Sequence, residues 1–360
     1  MAYPVVHVNS IPKPGDSSKY HLALGMPRVI LGSPLFNHAA HFREAIESVL
    51  NQTFTDFALV LVDDESTDET PHVAREYEAL DSRVWYCRND RRLGLIDNSR
   101  KALAVARARH PEAEYFAWVS DHDLWHPRWL QALVDTLDAN PGVVLAYPLN
   151  RRIGPSGELL KRLPWRFDTF GVASPWTRLR VGIRQMRAGN MVYGLYRIDV
   201  LERAGVYRKV VIPDRLLFAE LSLYGQFKQV SQVLWFRRWY GRVFSLERQR
   251  ASFFVSQRPL YAYVPWWLSH TASLFWTFSI RGDGRPGVSR AAGIGIAGLY
   301  LGLASFVHAR QTIRGAGGRI GERLGALKQR VRLIAAAMRR QGVKNWVTSH
   351  LNEYLGAHRP

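Results

Sequence analysis

Cysteine is all but missing: Cys87 is the one thiol in 360 residues. A lone thiol cannot close an internal disulfide, which excludes a disulfide-framed fold and suits a reducing compartment. Glycine-rich phosphate loops are missing too. No GxGxxG follows the first apolar run and no GxxxxGK[ST] occurs anywhere, so a dinucleotide fold and a P-loop ATPase are disfavoured. The opening stretch, MAYPVVHVNSIPKPGDSSKY, lacks the basic start and apolar core of a secretory leader. Residues 1–26, rich in Pro, Gly and Ser, read as a loose lead-in.

Acids are scarce in the second part of the chain. Residues 151–360 carry 35 Lys+Arg against 10 Asp+Glu, a balance of +25, whereas residues 1–150 carry 14 against 20, a balance of −6. A uniformly basic nucleic-acid binder would not be divided this way. The split points to an acidic or neutral half and a basic half facing an anionic partner; on charge alone nucleic acid, membrane phospholipid and a phosphorylated substrate all remain candidates.

What the first half does have is alternation of apolar runs and helical periodicity. Val29 to Leu31 reads as a buried strand, with Asn37 suited to cap a helix over 38–50. FALVLVDDES (57–66) holds a continuous apolar run, as in a strand covered on both faces. Ser66 and Glu69 have capping-box spacing for the next helix. Strands at Val84–Tyr86, Tyr115–Ser120 and Val143–Tyr147 alternate with helices over 98–109 and 128–137. The fold class is therefore α/β, a mostly parallel sheet with helices on both faces. Ligands in such sheets bind beyond the carboxyl ends of the strands. Three polar clusters fall there: Pro34–Asn37, Asp63–Asp64–Glu65 and Asp121–His122–Asp123.

Two carboxylates one residue apart at a strand end repel each other unless something shares their charge. Mg²⁺ or Mn²⁺, which take one or two carboxylates and complete their shell with water and phosphate, would do so. The competing reading makes Asp123 a helix N-cap and leaves His122 exposed. Asp63 and Asp64 could accept from a nucleobase and ribose, or could be solvated turn residues.

Three segments carry a resemblance through four motifs: Pro-x-aromatic-Asn, Ser-Val-Leu-x-Gln-Thr, Val-Asp-Asp-x-Ser-x-Asp-x-Thr and Asp-x-Asp. PLFNHAAHFREAIESVLNQTF (34–54), LVLVDDESTDET (59–70) and WVSDHDLWHPRWL (118–130) together resemble the inverting family-2 glycosyltransferases of GT-A fold. The resemblance covers 27–245 and implies a nucleotide-sugar donor, a UDP-sugar in the first instance. It implies that Pro34, Phe36, Asn37, Asp63, Asp64, Asn98 and Asp121 bind the donor nucleotide, and that Asp121 and Asp123 hold a divalent metal, Mn²⁺ or Mg²⁺. Where family members often open the helix after the third strand with Arg-Asn, this chain has Asp97-Asn98. A basic donor contact then falls to Arg91, Arg92 or Arg100.

Inverting transfer needs one general base. In the family it is the aspartate of a Glu-Asp pair ahead of a helix. Here Asp214, in VVIPDRLLFAELSLYGQF (210–227), takes that place eleven residues before Gly225, with Pro213 where the glutamate would be. The plainer reading makes Asp214 the cap of that helix, a role compatible with acting as base; Glu220 is the reserve. In VLWFRRWYGR (233–242), Trp235 stands where processive synthases carry the glutamine of QxxRW, which argues for single transfer.

Beyond 245 the resemblance fades into a basic, helical, membrane-associated tail over 246–360. Uncharged runs at 259–280 and 291–309 are long enough to span a bilayer. Either interfacial helices or a spanning hairpin would accommodate them. An amphipathic arginine-rich segment at 319–340 suits an anionic leaflet or a docked helix. The expected protein is a metal-assisted hexosyltransferase-type enzyme. It would act on a glycan or lipid-linked glycan in envelope polysaccharide synthesis, in the cytoplasm or on the cytoplasmic membrane face. The rivals are a non-catalytic polyanion-binding module on the same scaffold and a nucleotidyltransferase.

Overall fold

A computed structural model describes residues 26–313, apart from 162, 242–244, 257 and 282–287. The chain divides into two compact units, at Leu303 and Ala304, and the site lies in the first. The lead-in over 1–25 and the 319–340 segment lie outside the described residues.

Strand β1 (Val29–Leu35) leads to α1 (Ala39–Leu50), β2 (Phe57–Asp63), α2 (Thr70–Leu80), β3 (Val84–Arg88), α3 (Leu95–Arg109) and β4 (Tyr115–Trp118). These four strands pair in parallel, in the order β3-β2-β1-β4. All seven residues of β2 are buried, as its continuous apolar run requires of a strand with helices on both sides. Helix α1 packs inward through Phe42, Ala45, Ile46 and Val49, residues at the three- and four-residue intervals of one helical face.

The second half of the sheet departs from simple alternation. A two-residue β5 (Leu124–Trp125), α4 (Trp129–Asp138), β6 (Val143–Ile153), α5 (Pro175–Gln185), β7 (Leu195–Arg197), α6 (Ile198–Arg203), α7 (Pro213–Tyr224) and β8 (Gln226–Arg238) complete it. The full order is β3-β2-β1-β4-β7-β6-β8-β5. Strand β7 runs antiparallel to both β4 and β6, β8 is parallel to β6, and β5 is antiparallel to β8. The last pairing lays Trp125 opposite Trp235 and brings β8 against the segment that carries Asp121 and Asp123.

Two caps differ from expectation. Asn37 does not cap α1: β1 continues to Leu35, so the chain reverses at Asn37 with φ +53°, and the N-cap position falls to His38. Asparagine tolerates this left-handed region better than most residues. Ser66 does not cap α2, whose N-cap position is Glu69; its hydroxyl accepts from Asn37 N instead.

After β8 come α8 (Leu246–Phe253), α9 (Trp266–Phe275) with a π-helical continuation over Trp276–Arg281, and a helix α10 (Arg290–Ile313). Pro265 starts α9, so the 259–280 run is not one spanning helix. Helix α10 is long and apolar enough to cross a membrane, by length and composition alone.

Candidate active site

The acids at the end of β4 sit against the carboxyl edge of β1. Asp121 is 5 % exposed and Asp123 1 %. Asp121 accepts from the rings of His122 at 2.6 Å and His38 at 2.9 Å. Burial works against its ionised form, but these imidazoles outweigh it and hold the carboxyl below its ordinary value. Burial would likewise lower the pKa of His122. The hydrogen bond that its ring donates to Asp121 and the charges of Asp121 and Asp123 reverse this and raise it.

Asp123 is held differently. Trp235 Nε1 donates to its Oδ2 and Arg238 N to its Oδ1, both at 2.8 Å. It is no helix cap, since the N-cap position of α4 is Arg128. The buried Arg238 guanidinium donates to the carbonyls of His122 and Pro155 and pairs with Glu44, fastening the Asp-His-Asp segment to β8.

One ligand atom each from His38, Asp121 and His122 lies within 4.8 Å of the others. Asp123 Oδ1 is 3.8 Å from His122 Nε2. The set fits a divalent ion: carboxylates suit hard dications and imidazoles suit transition metals, which favours Mn²⁺ over Mg²⁺ here. The bonds to Trp235 and Arg238 N still leave lone pairs on the Asp123 carboxylate.

Two cavities adjoin this centre. One, about 200 Å³, is lined by Phe36, Asp64, Arg92, Asn98, Asp121 and Ser252, among others. The second, about 240 Å³, is lined by Trp118, Asp123, Asp214, Arg237, Gln249 and Phe253, among others. Pro34, Leu95, His122 and Tyr193 line both. Arg92 lies 3.9 Å above the Phe36 ring. Of the three arginines considered as basic donor contacts, Arg92 alone lines the first cavity.

The expected donor residues divide accordingly. Pro34, Phe36, Asp64, Asn98 and Asp121 line the first cavity; Asn37 and Asp63 line neither. Asp63 is wholly buried and accepts from Ser66 N and Tyr86 Oη. The Asn37 carboxamide accepts from Thr67 N. Both therefore shape the loops rather than face the space. Asp64 does line the cavity, yet its carboxylate already accepts from Asn89 Nδ2, Leu93 N and Gly94 N.

Asp214 opens α7 and is half-buried; burial raises its pKa above the ordinary carboxylate value, with Arg215 and Arg237 opposing in part. Glu220, the reserve base, is fully buried and paired to Arg208 at 2.9 Å, away from both cavities. Sequence reasoning missed His38, Tyr193 and the α8 residues Gln249 and Ser252. His38 belongs to a loop whose spacing from Asp121 no local pattern records. The α8 contribution extends the site past residue 245.

The mixed, mostly parallel sheet with helices on both faces, its acidic edge flanked by two cavities, has a GT-A-like fold. The *S. aureus* TarS 1–349 structure in complex with UDP-GlcNAc shares the fold, with TM-score 0.52 and 15 % identity over 77 % of this chain and 72 % of that one. Residues 32–191 match the family described as Glycosyl transferase family 2, and this segment of the chain is a family-2 glycosyltransferase domain. It is 28 % identical over 122 residues to an uncharacterized glycosyltransferase of *Methanocaldococcus jannaschii*, covering 34 % of this chain and 40 % of the relative. It is 31 % identical over 103 residues to the glucosyl-dolichyl phosphate glucuronosyltransferase of *Haloferax volcanii*, covering 29 % and 31 %. The chain thus spans well under half the length of these relatives.

Proposed function

We propose that the protein transfers a sugar, with inversion, from a nucleoside-diphosphate donor to a glycan or lipid-linked glycan hydroxyl. The observation that carries this is the pair of adjoining cavities sharing the wall of Pro34, Leu95, His122 and Tyr193. The first suits a nucleotide, with Phe36 and Arg92 as flat surfaces and Asp64 and Asn98 as polar contacts. The second suits the sugar and acceptor, because the acid expected to act as base lines it.

In this reading Asp214 accepts the acceptor hydroxyl proton as the oxygen attacks the anomeric carbon. The bond to the diphosphate oxygen breaks on the opposite side. A raised carboxyl pKa strengthens the conjugate base. Asp121 and Asp123, with His38 and His122, would hold the divalent ion. When bound, the ion would offset charge on the departing diphosphate. The catalytic domain in this reading begins near 27 and extends beyond 245 to include α8. An anionic membrane surface as partner is supported by the +25 balance of residues 151–360 and by outward-facing Tyr261, Tyr263, Trp276 and Ile294. The *H. volcanii* relative's dolichyl phosphate-linked acceptor fits the same picture.

The test is calorimetric titration with UDP, GDP and dTDP in Mn²⁺, followed by Asp214→Asn. We expect one nucleotide to bind, binding to survive the substitution, and transfer to be lost. No binding by any of the three, or full transfer by the variant, would sink the assignment.

A further inference from the structure

The turn that delivers Asp214 is strained. Ile212, immediately before Pro213 and Asp214, adopts φ +55° and ψ +49°. This left-handed conformation crowds the side chain against the following carbonyl, and a β-branched residue seldom adopts it. Strain of this kind persists only where the surroundings over-determine the backbone. Here two distant side chains do so. Ile212 N donates to Gln249 Oε1 at 2.9 Å. The Val211 carbonyl accepts from His270 Nε2 at 2.8 Å, and His270 Nδ1 accepts from the Tyr300 hydroxyl at 2.7 Å.

His270 and Tyr300 are both 0 % exposed. Donating to a carbonyl through Nε2 and accepting at Nδ1 fixes one neutral tautomer. Burial pushes the imidazole pKa down to about 3, so the ring does not titrate in any ordinary assay. The pair is a fixed strut. It belongs to α9 and α10, elements beyond the stretch matched to the family, which ends at 191.

We propose that His270 and Tyr300 are positioning residues: together they pin the Val211–Ile212 turn in the strained conformation that places Asp214 in the transfer cavity. This rests on Asp214 being the base. A buried histidine serving only to satisfy a carbonyl would stabilise the fold without favouring catalysis over donor binding. Pinning the base gives a different signature, because displacing a catalytic group by about 1 Å can cost on the order of 100-fold in rate.

The experiment measures nucleoside diphosphate released from a panel of UDP-, GDP- and dTDP-sugars in Mn²⁺, using the full chain. His270→Leu should lower kcat by about 10- to 100-fold with donor KM within about 2-fold. His270→Gln, whose amide can still donate to the Val211 carbonyl, should recover most of that loss. Tyr300→Phe, a milder change that covers the case of a misfolded leucine variant, should lower kcat by a smaller factor, again without raising KM. Unchanged kcat in His270→Leu and Tyr300→Phe would overturn the proposal. So would kcat and donor binding failing together with no rescue by glutamine. If Asp214→Asn is inactive while these variants turn over normally, the strut alone is wrong. If Asp214→Asn is itself active, the base assignment falls and the strut with it.

Discussion

Asp123 is sandwiched between two donors on opposite oxygens, and this makes Asp123→Asn a poor probe of metal binding by itself. Trp235 Nε1 reaches one oxygen and Arg238 N the other, each at 2.8 Å, at a carboxylate only 1 % exposed. An asparagine must turn its NH₂ toward one of them and leave a buried N–H facing a donor, costing about 1–3 kcal/mol. Trp235→Phe removes the other side of the clash. Alone it costs about 2–4 kcal/mol: a hydrogen bond to a charged acceptor is worth roughly 1.5–3, and the indole, packed 5.2 Å from the Tyr193 ring, loses part of its volume. In the double variant the asparagine NH₂ faces a phenyl ring and its oxygen keeps Arg238 N. The Asp123→Asn change should therefore cost about 1.5–3 kcal/mol less in the Trp235→Phe background than in the wild type. Urea unfolding followed by circular dichroism at neutral pH gives all four corners of the cycle. Additivity within about 0.5 kcal/mol would show that the two side chains do not share this hydrogen bond.

The burial that raises the Asp214 pKa above 3.8 also sets a stability trend. Between the unfolded and the raised folded pKa, the native state binds more protons than the unfolded state, so this group's contribution to stability falls as pH rises through that window. Asp214→Asn should therefore raise the melting temperature at neutral pH while abolishing transfer; a lower one would contradict the burial argument. In the wild type, the acidic limb of kcat/KM should lie above the ordinary carboxylate range, and a pH–rate profile checks it. At Gly94, φ is +88° and an added Cβ would meet Ser252 O at 2.7 Å. Gly94→Ala should cost about 1–3 kcal/mol by thermal denaturation and weaken nucleotide binding, since Asp64 and Ser252 line that cavity. His38→Ala should weaken Mn²⁺ binding by about 10-fold in calorimetry, whether His38 ligates the ion or only orients Asp121; unchanged affinity would remove it from the metal centre.

The legible parts of this chain were those governed by short-range pattern. β2 could be read because seven consecutive buried residues leave a continuous apolar run, and α1 because Phe42, Ile46 and Val49 repeat at helical spacing. β5, two residues long, has no periodicity to read. The antiparallel insertion of β7 between β4 and β6 depends on chain reversal, which no local run encodes. At the site, the Asp-x-Asp and the acid in the first turn of α7 were legible as residue types in a recognisable order. Their partners were not, because His38, Trp235 and His270 lie 83, 112 and 59 residues from the groups they contact.

The misread caps show how the loops are built. Local rules assign a helix the nearest Ser, Asn or Asp as its cap, and for α1 that residue is Asn37. The first orphan N–H groups of α1 instead go to the loop after β2: His38 N donates to Thr70 Oγ1 and Ala39 N to Asp68 Oδ2. Asn37 returns the favour by accepting from Thr67 N. Each loop thus completes the other, and neither has its observed conformation without its neighbour. The Val-Asp-Asp-x-Ser-x-Asp-x-Thr stretch of the sequence resemblance is therefore, at Ser66, Asp68 and Thr70, a set of acceptors for the preceding loop. Its visible chemistry at those positions is scaffold, and of the acids and amides that the resemblance named, those lining a cavity are Asp64, Asn98 and Asp121 in one, Asp123 and Asp214 in the other.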